Sequence, residues 1–550
     1  MNKRKIILLA ALLGIGIHDA TAQTGTKYSW DNLPQAKTPS FKTDTFNIVK
    51  YGAVADGITL NTQSINSAIN DCSAKGGGVV LIPQGLWLTG PIVLKSNVNL
   101  YVSRAALLQF TNDKNQYKLV EGNYEGHPAV RNESPVSATD QTNIAITGEG
   151  IIDGHGEAWR AMGKDRLTEL EWKQLVASGG IVSDDGKMWY PSESYKMGNA
   201  TKDAGTIKQG ESMSDYADMK DFFRPNLVVL TNCKQILLQG TTFRNSPAWC
   251  LHTLLCEDLT LRGVHVRNQW NAQNGDGIDV ESCKNVVIEN STFDTGDDGI
   301  CIKSGRDEAG RERGKPTENV FVHNDVVYRA HGGFVIGSEM SGGARNIFVS
   351  DCTFIGTDIG LRFKTVRGRG GIVENIFIKN ISMRDIVHEA IYFDMYYQTK
   401  AASALGQNAE IPSVNVGTPQ FRNFYVSNVV CDGAEKAIFV RGLPEMSIKG
   451  IHLENMTFNT NQGVDLIEAN DISLKNITLK VADDKHLIYI ENSKAITLDN
   501  IKSINPTKVF LSINGNRSDE IQLLHTNTSS SKSETEFDYG ADKGMFTEIK

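Results

Sequence analysis

Two adjacent carboxylates, Asp297 and Asp298, sit in "GDD" (296–298), on a turn between two apolar runs. A single carboxylate, Asp276, stands upstream in "NGD" (274–276), and His331 follows downstream in "HG". Arg362 and Lys364 come next, two residues apart in "GLRFK". Hydrolysis of a glycosidic bond would use such a set, with one protonated carboxyl as acid and an ionised one as base. Crowding supplies the asymmetry, because like charges held together raise the pKa of one member. An arginine and a lysine beside the acids would bind a substrate carboxylate, the arginine in bidentate fashion. The substrate implied is an acidic sugar polymer.

Taken singly, each piece is ordinary. Asp and Gly are turn residues, and an Arg and a Lys two apart on a strand are usually solvated. Other turns in the chain lack such acids: "NTNQG" before Val464 is neutral and "GAEK" before Ala437 is mixed. The chemistry therefore depends on whether the fold brings the pieces together.

The repeat says that it does. At least nine segments share a pattern of alternating apolar residues, among them "NVVIENSTF" (285–293), "NVFVHNDVV" (319–327), "NIFVSDCTF" (346–354) and "NIFIKNISM" (375–383). Strict alternation marks strands rather than helices, and a repeat mostly in the twenties built of strands and Gly/Asn turns marks a parallel β-helix. A second strand follows each at a steady offset: "GIDV" from Gly277, "GICIK" from Gly299, "GFVIG" from Gly333, "GLRFK" from Gly360. Asp276, Asp297 with Asp298, and His331 each precede one of these strands by one or two residues. Arg362 and Lys364 share one face of theirs. Stacked at the usual strand spacing, four consecutive coils form a patch roughly 15 Å tall.

Other segments depart from the repeat. Residues 60–78 carry Ile65, Ala68, Ile69 and Cys72 at helical spacing, predicting a short helix that caps the open solenoid end. Residues 155–224 lack the repeat and contain "DRLTELEWKQLVASG", which predicts a helix within a loop insertion. The solenoid is expected over 45–525 and a mobile Ser/Thr-rich tail over 526–550. Residues 1–22 read as an export signal, with basic "MNKRK", apolar "IILLAALLGIGI" and small "ATA". A periplasmic or extracellular protein is expected, with no membrane span. The net charge of −8 argues against nucleic acid as partner. The eight cysteines show no zinc-type spacing and are expected to be mostly free and buried.

The ordered set "NGD", "GDD", "HG" and "RFK", followed by a tyrosine for which Tyr397 fits best by spacing, resembles the polygalacturonases of glycoside hydrolase family 28. The opening "FNIVKYGAVADG" (46–57) is similar to the N-terminal cap of that family. The resemblance implies an all-β, right-handed parallel β-helix, acting as a monomer without metal or cofactor. It implies inverting hydrolysis of α-1,4-galacturonide bonds in pectic poly- or oligosaccharide. Asp297 would be the general acid, Asp276 and Asp298 would activate water, and His331 would tune the acid. Arg362, Lys364 and Tyr397 would bind the sugar. Acid and base should then lie roughly 6.5–9.5 Å apart.

Two small departures, Gly275 inside "NGD" and Ala330 before His331, bear on subsite detail. "GSEMSGGARN" (337–346), "RGRGG" (367–371) and the insertion resemble bacterial exo-acting members. Rhamnogalacturonan is an alternative substrate. A calcium-dependent pectate lyase, with the three aspartates on the ion, and a non-catalytic binding β-helix are further alternatives.

Overall fold

The computed structural model describes residues 27–399 and 410–549. The export-signal stretch 1–22 lies outside them. The chain winds into a parallel β-helix, as the repeat predicts. One face is a 14-stranded parallel sheet running in order from Ile92–Val93 to Ser533–Asp538. The rest of each coil adds two short strands, such as Lys284–Glu289 and Thr292–Asp294. From Ala344–Ile355 through Ala469–Val481, the two fuse into single strands of 12–13 residues.

Alternation explains the stacking. In the strand Ile278–Glu281, Ile278 and Val280 enter the core while Asp279 and Glu281 face outward. Like residues then stack from coil to coil, and Phe363 meets Phe393 at 4.5 Å between ring centroids. The asparagines that open many repeats take up left-handed backbone, which Asn tolerates better than most residues, as at Asn319 with φ 60°. Their amides form a ladder, Asn319 donating to Asn285 at 3.1 Å and Asn346 to Asn319 at 3.2 Å. All eight cysteines are free and buried.

The predicted cap is the helix Thr62–Ala74, whose Ile65, Ala68, Ile69 and Cys72 close the first coil. The predicted insertion helix is Glu169–Ala177, started by a capping box between Thr168 and Glu171. A hairpin, Leu119–Tyr124 with His127–Asn132, leaves the solenoid earlier, and the sequence reading did not anticipate it. It packs on the insertion through a separate small core of Val130, Ala204, Tyr216 and Phe223.

The expected mobile tail is instead a last coil. Ser533–Asp538 pairs with Val509–Asn514, and Phe546–Ile549 pairs with Asp519–Leu524. Thr and Phe suit strands, and Phe537 and Phe546 bind the segment to the core. The solenoid therefore runs on past residue 525.

Candidate active site

The register brings the selected residues into one groove. Asp276, Asp297 and Asp298 each place a carboxylate oxygen within 4.8 Å of the others. Glycines make the approach possible: a Cβ on Gly296 would lie 2.5 Å from the Gln269 carbonyl oxygen. The "GDD" turn thus presses directly on the loop that leads to Asp276. Arg224 donates to Asn274 Oδ1 at 2.8 Å and holds that loop from the insertion side.

Asp298 is buried and doubly paired, with Lys364 Nζ at 2.7 Å and Arg362 Nη1 at 3.3 Å. Burial alone would raise its pKa, but Lys364, then Arg362 and Lys303, hold it well below the ordinary carboxylate range. Asp276 is the opposite case. Burial, then the charges of Asp297 and Asp279, push it well above that range. Its Oδ1 has no hydrogen-bond partner among the described residues. The sequence reading paired Asp276 with Asp298 as bases; their surroundings push the two carboxyls in opposite directions, Asp276 up and Asp298 down.

Asp297 is the most exposed of the three, at 21% of its side chain. Its Oδ1 accepts from the Asp298 backbone N–H at 2.9 Å and lies 3.1 Å from His331 Nδ1. That hydrogen bond raises the His331 pKa above its usual 6.5 despite partial burial. Asp358 stands 3.7 Å from His331 Nε2 on the other side. The Tyr397 ring lies 5.0 Å from Lys364 Nζ and 5.8 Å from the Arg362 guanidinium. Tyr392 bonds Asp394 and stands beside Arg362 in register, while Tyr396 approaches Arg367, so Tyr397 is the tyrosine whose ring lies near both cations.

A second buried group was not singled out from the sequence. Lys303 Nζ lies 2.7 Å from Glu339 and 3.7 Å from Asp279, beneath the aspartates. The signal for Lys303 was its place at the end of "GICIK", two coils from Lys364 in the same register column. Asp279 and Glu339 gave none, because an outward strand position and a turn after a strand are both ordinarily solvated. Arg367 and Arg369 are spent on Glu445 and Asp307 rather than left for ligand.

The 4.8 Å span is shorter than the separation expected of an inverting pair. The two distances differ in kind, since the span joins one oxygen per residue while the expectation joins carboxyl groups. The same three oxygens could ligate a small cation or grip a water molecule.

The outward column of the 14-stranded sheet differs sharply along its length. From His252 through Asp279 and Cys301 to Val335 it is buried, and before His252 the column is again partly exposed at Val229, Ser137 and Val93. Beyond Arg362 it opens, and Tyr392, Phe439, Asp465 and Tyr489 are all partly exposed. The hairpin covers the N-terminal side, where Asn123 reaches Glu281 at 3.4 Å. The hairpin and the insertion roof the groove on that side, reaching Glu281 and Asn274.

Residues 162–422 match the family described as Glycosyl hydrolases family 28, and 45–170 match Rhamnogalacturonase A/epimerase, pectate lyase-like. An exo-poly-alpha-D-galacturonosidase of Dickeya chrysanthemi is 27% identical, over 78% of this chain and 70% of that protein. The crystal structure of a hyperthermoactive exopolygalacturonase from Thermotoga maritima is 30% identical. It covers 79% of this chain and 90% of its own, with a TM-score of 0.63. The family 28 exopolygalacturonase of Yersinia enterocolitica, 23% identical with a TM-score of 0.54, shares the fold over 92% of this chain. Sequence motifs, coil register and these likenesses agree: the chain belongs to glycoside hydrolase family 28.

Proposed function

We propose that the protein is an exo-acting polygalacturonase that hydrolyses α-1,4-galacturonide bonds with inversion. The observation that carries the exo assignment is the hairpin and insertion that cover the groove on the N-terminal side of the aspartates. A polymer can lie across the open side, over Tyr392 and Phe439, but only its end can reach the closed side. Several solved and curated relatives bear exo-acting names, which supports the same reading.

In this mechanism Asp297 protonates the glycosidic oxygen as the C–O bond breaks. It shares one proton with His331, as imidazolium and carboxylate or as imidazole and carboxylic acid. Asp298, kept ionised by Lys364 and Arg362, takes the proton from the attacking water. Asp276, pushed toward its protonated form by burial and the neighbouring charges, orients that water from the third side. Arg362 and Lys364, with Tyr397 beside them, receive the galacturonate carboxylate. The cations thus serve twice, holding Asp298 ionised and binding substrate. Export, read from residues 1–22, would place the enzyme where pectic polymer is met.

Product profiles on polygalacturonate test this. Short products released from chain ends with a slow fall in viscosity are expected; an early random ladder of oligomers defeats exo action. Rhamnogalacturonan is the second reading, favoured by the match of residues 45–170. Parallel digestion of the two polymers separates them.

A further inference from the structure

Behind the closed end lies a cavity of about 600 Å³, walled by the hairpin and the insertion. Its lining includes Tyr124, Glu125, His127, Arg131, Arg224 and Arg306. Arg131 and Arg224 are 8% and 5% exposed. Buried charges are ordinarily paired with an opposite charge, yet among the described residues neither has a carboxylate in contact. Arg131 donates to the Arg224 carbonyl and stacks on Tyr124 at 4.3 Å. Arg224 donates to the carbonyls of Pro247 and Gln273 and to Asn274. Burial lowers the Arg131 pKa to about 10, which leaves it charged at neutral pH. Glu125 is the nearest acid of the lining, and it is held by Arg306 at 3.2 Å. Asp203, the other acid of the lining, is exposed.

The cavity adjoins the catalytic turn. Arg224 and Tyr124 both reach Asn274 Oδ1, at 2.8 and 3.4 Å, two residues before Asp276. We infer that this cavity is an anion subsite in which Arg131 and Arg224 bind the carboxylate of the chain-terminal uronate. The inference rests on the exo-acting reading and adds to it. The closed end recognises an acidic terminus as well as obstructing the polymer, and a neutral or esterified terminus is rejected. Rejection follows because two desolvated guanidinium groups would remain uncompensated.

The test uses trigalacturonate as the free acid and as two isomers, each methyl-esterified on one terminal unit. For the wild-type enzyme, the isomer whose ester enters the cavity should lose about 10- to 100-fold in kcat/KM, the range of a hydrogen bond to a charged group. Arg131→Gln should erase most of that discrimination while Arg362 and Lys364 remain intact. Arg131→Lys, which keeps the charge, should retain part of it. Equal kcat/KM for all three substrates with wild-type enzyme overturns the inference, even should Arg131→Gln fail to fold. Full discrimination persisting in a folded Arg131→Gln protein overturns it as well. Failure of the exo-acting reading looks different: the free acid polymer would yield a random ladder.

Discussion

Replacing Lys364 with methionine probes the electrostatic core of the site. Methionine keeps much of the apolar stem but removes the ammonium 2.7 Å from Asp298 Oδ2. The Asp298 side chain is 2% exposed and would keep Arg362 at 3.3 Å. Stripping one partner from a buried pair costs about 3–5 kcal/mol, and the surviving arginine argues for the lower figure, about 3 kcal/mol. Unfolding entropy of about 2.1 cal/mol/K per residue over roughly 500 ordered residues amounts to about 1 kcal/mol/K. The expected loss in Tm is therefore about 3 °C.

The pH dependence has a definite sign. The folded pKa of Asp298 is depressed. Its stabilisation is therefore complete above the unfolded carboxylate value of about 3.9. It fades as pH falls through the lower folded value. The Tm gap between wild type and variant should be widest at neutral pH and close in acid. The acid limb of kcat/KM should move to higher pH, since the base now protonates more readily. Calorimetry at two pH values and a pH–rate profile read both effects. In an Asp298→Asn background the same lysine change should cost much less. An unchanged Tm at neutral pH together with an unmoved acid limb would refute the assignment of Asp298 as an ionised, cation-held base.

Asp297→Asn should lower kcat by about 10²- to 10⁴-fold while polygalacturonate still binds, measured by turnover and equilibrium binding. His331→Gln should draw the basic limb of the pH–rate profile to lower pH, because the raised histidine pKa stands behind the shared proton. NMR of the first product formed should show the inverted anomer; retention would mean that an aspartate in the 4.8 Å cluster attacks carbon directly. Activity should survive chelator with no unsaturated product; loss of activity with chelator and an absorbing product would point to a lyase. Phe363→Ala, at a fully buried stacked ring, should cost about 3–5 kcal/mol, seen as lower thermal stability with an unmoved pH profile.

Much of this protein was legible because a solenoid converts sequence offset directly into position. Asp297 and Asp298 stand before Gly299 as Asp276 stands before Gly277, so reading the column was reading the groove. The upward push on Asp276 was not legible, because it depends on burial by segments far away in sequence. The arginine cavity was invisible for a similar reason: Arg131 and Arg224 lie 93 residues apart and meet only through the hairpin and insertion. The tail misled because Ser/Thr richness hides alternation that Phe537 and Phe546 complete. The contacts of Arg369 in "RGRGG" were equally illegible: it is buried against Ser338 and Asp307, since its turn folds back on the coil.

A passage with a single mouth must serve for both arrival and departure. After each cut, the released fragment sits at the blind end with the remaining polymer between it and solvent. The polymer has to withdraw before the fragment escapes, so consecutive cuts cannot be made by sliding along one strand. Every turnover then includes a complete exchange of substrate, and shortening of a polymer population should proceed evenly, with no molecule consumed to exhaustion while its neighbours remain whole.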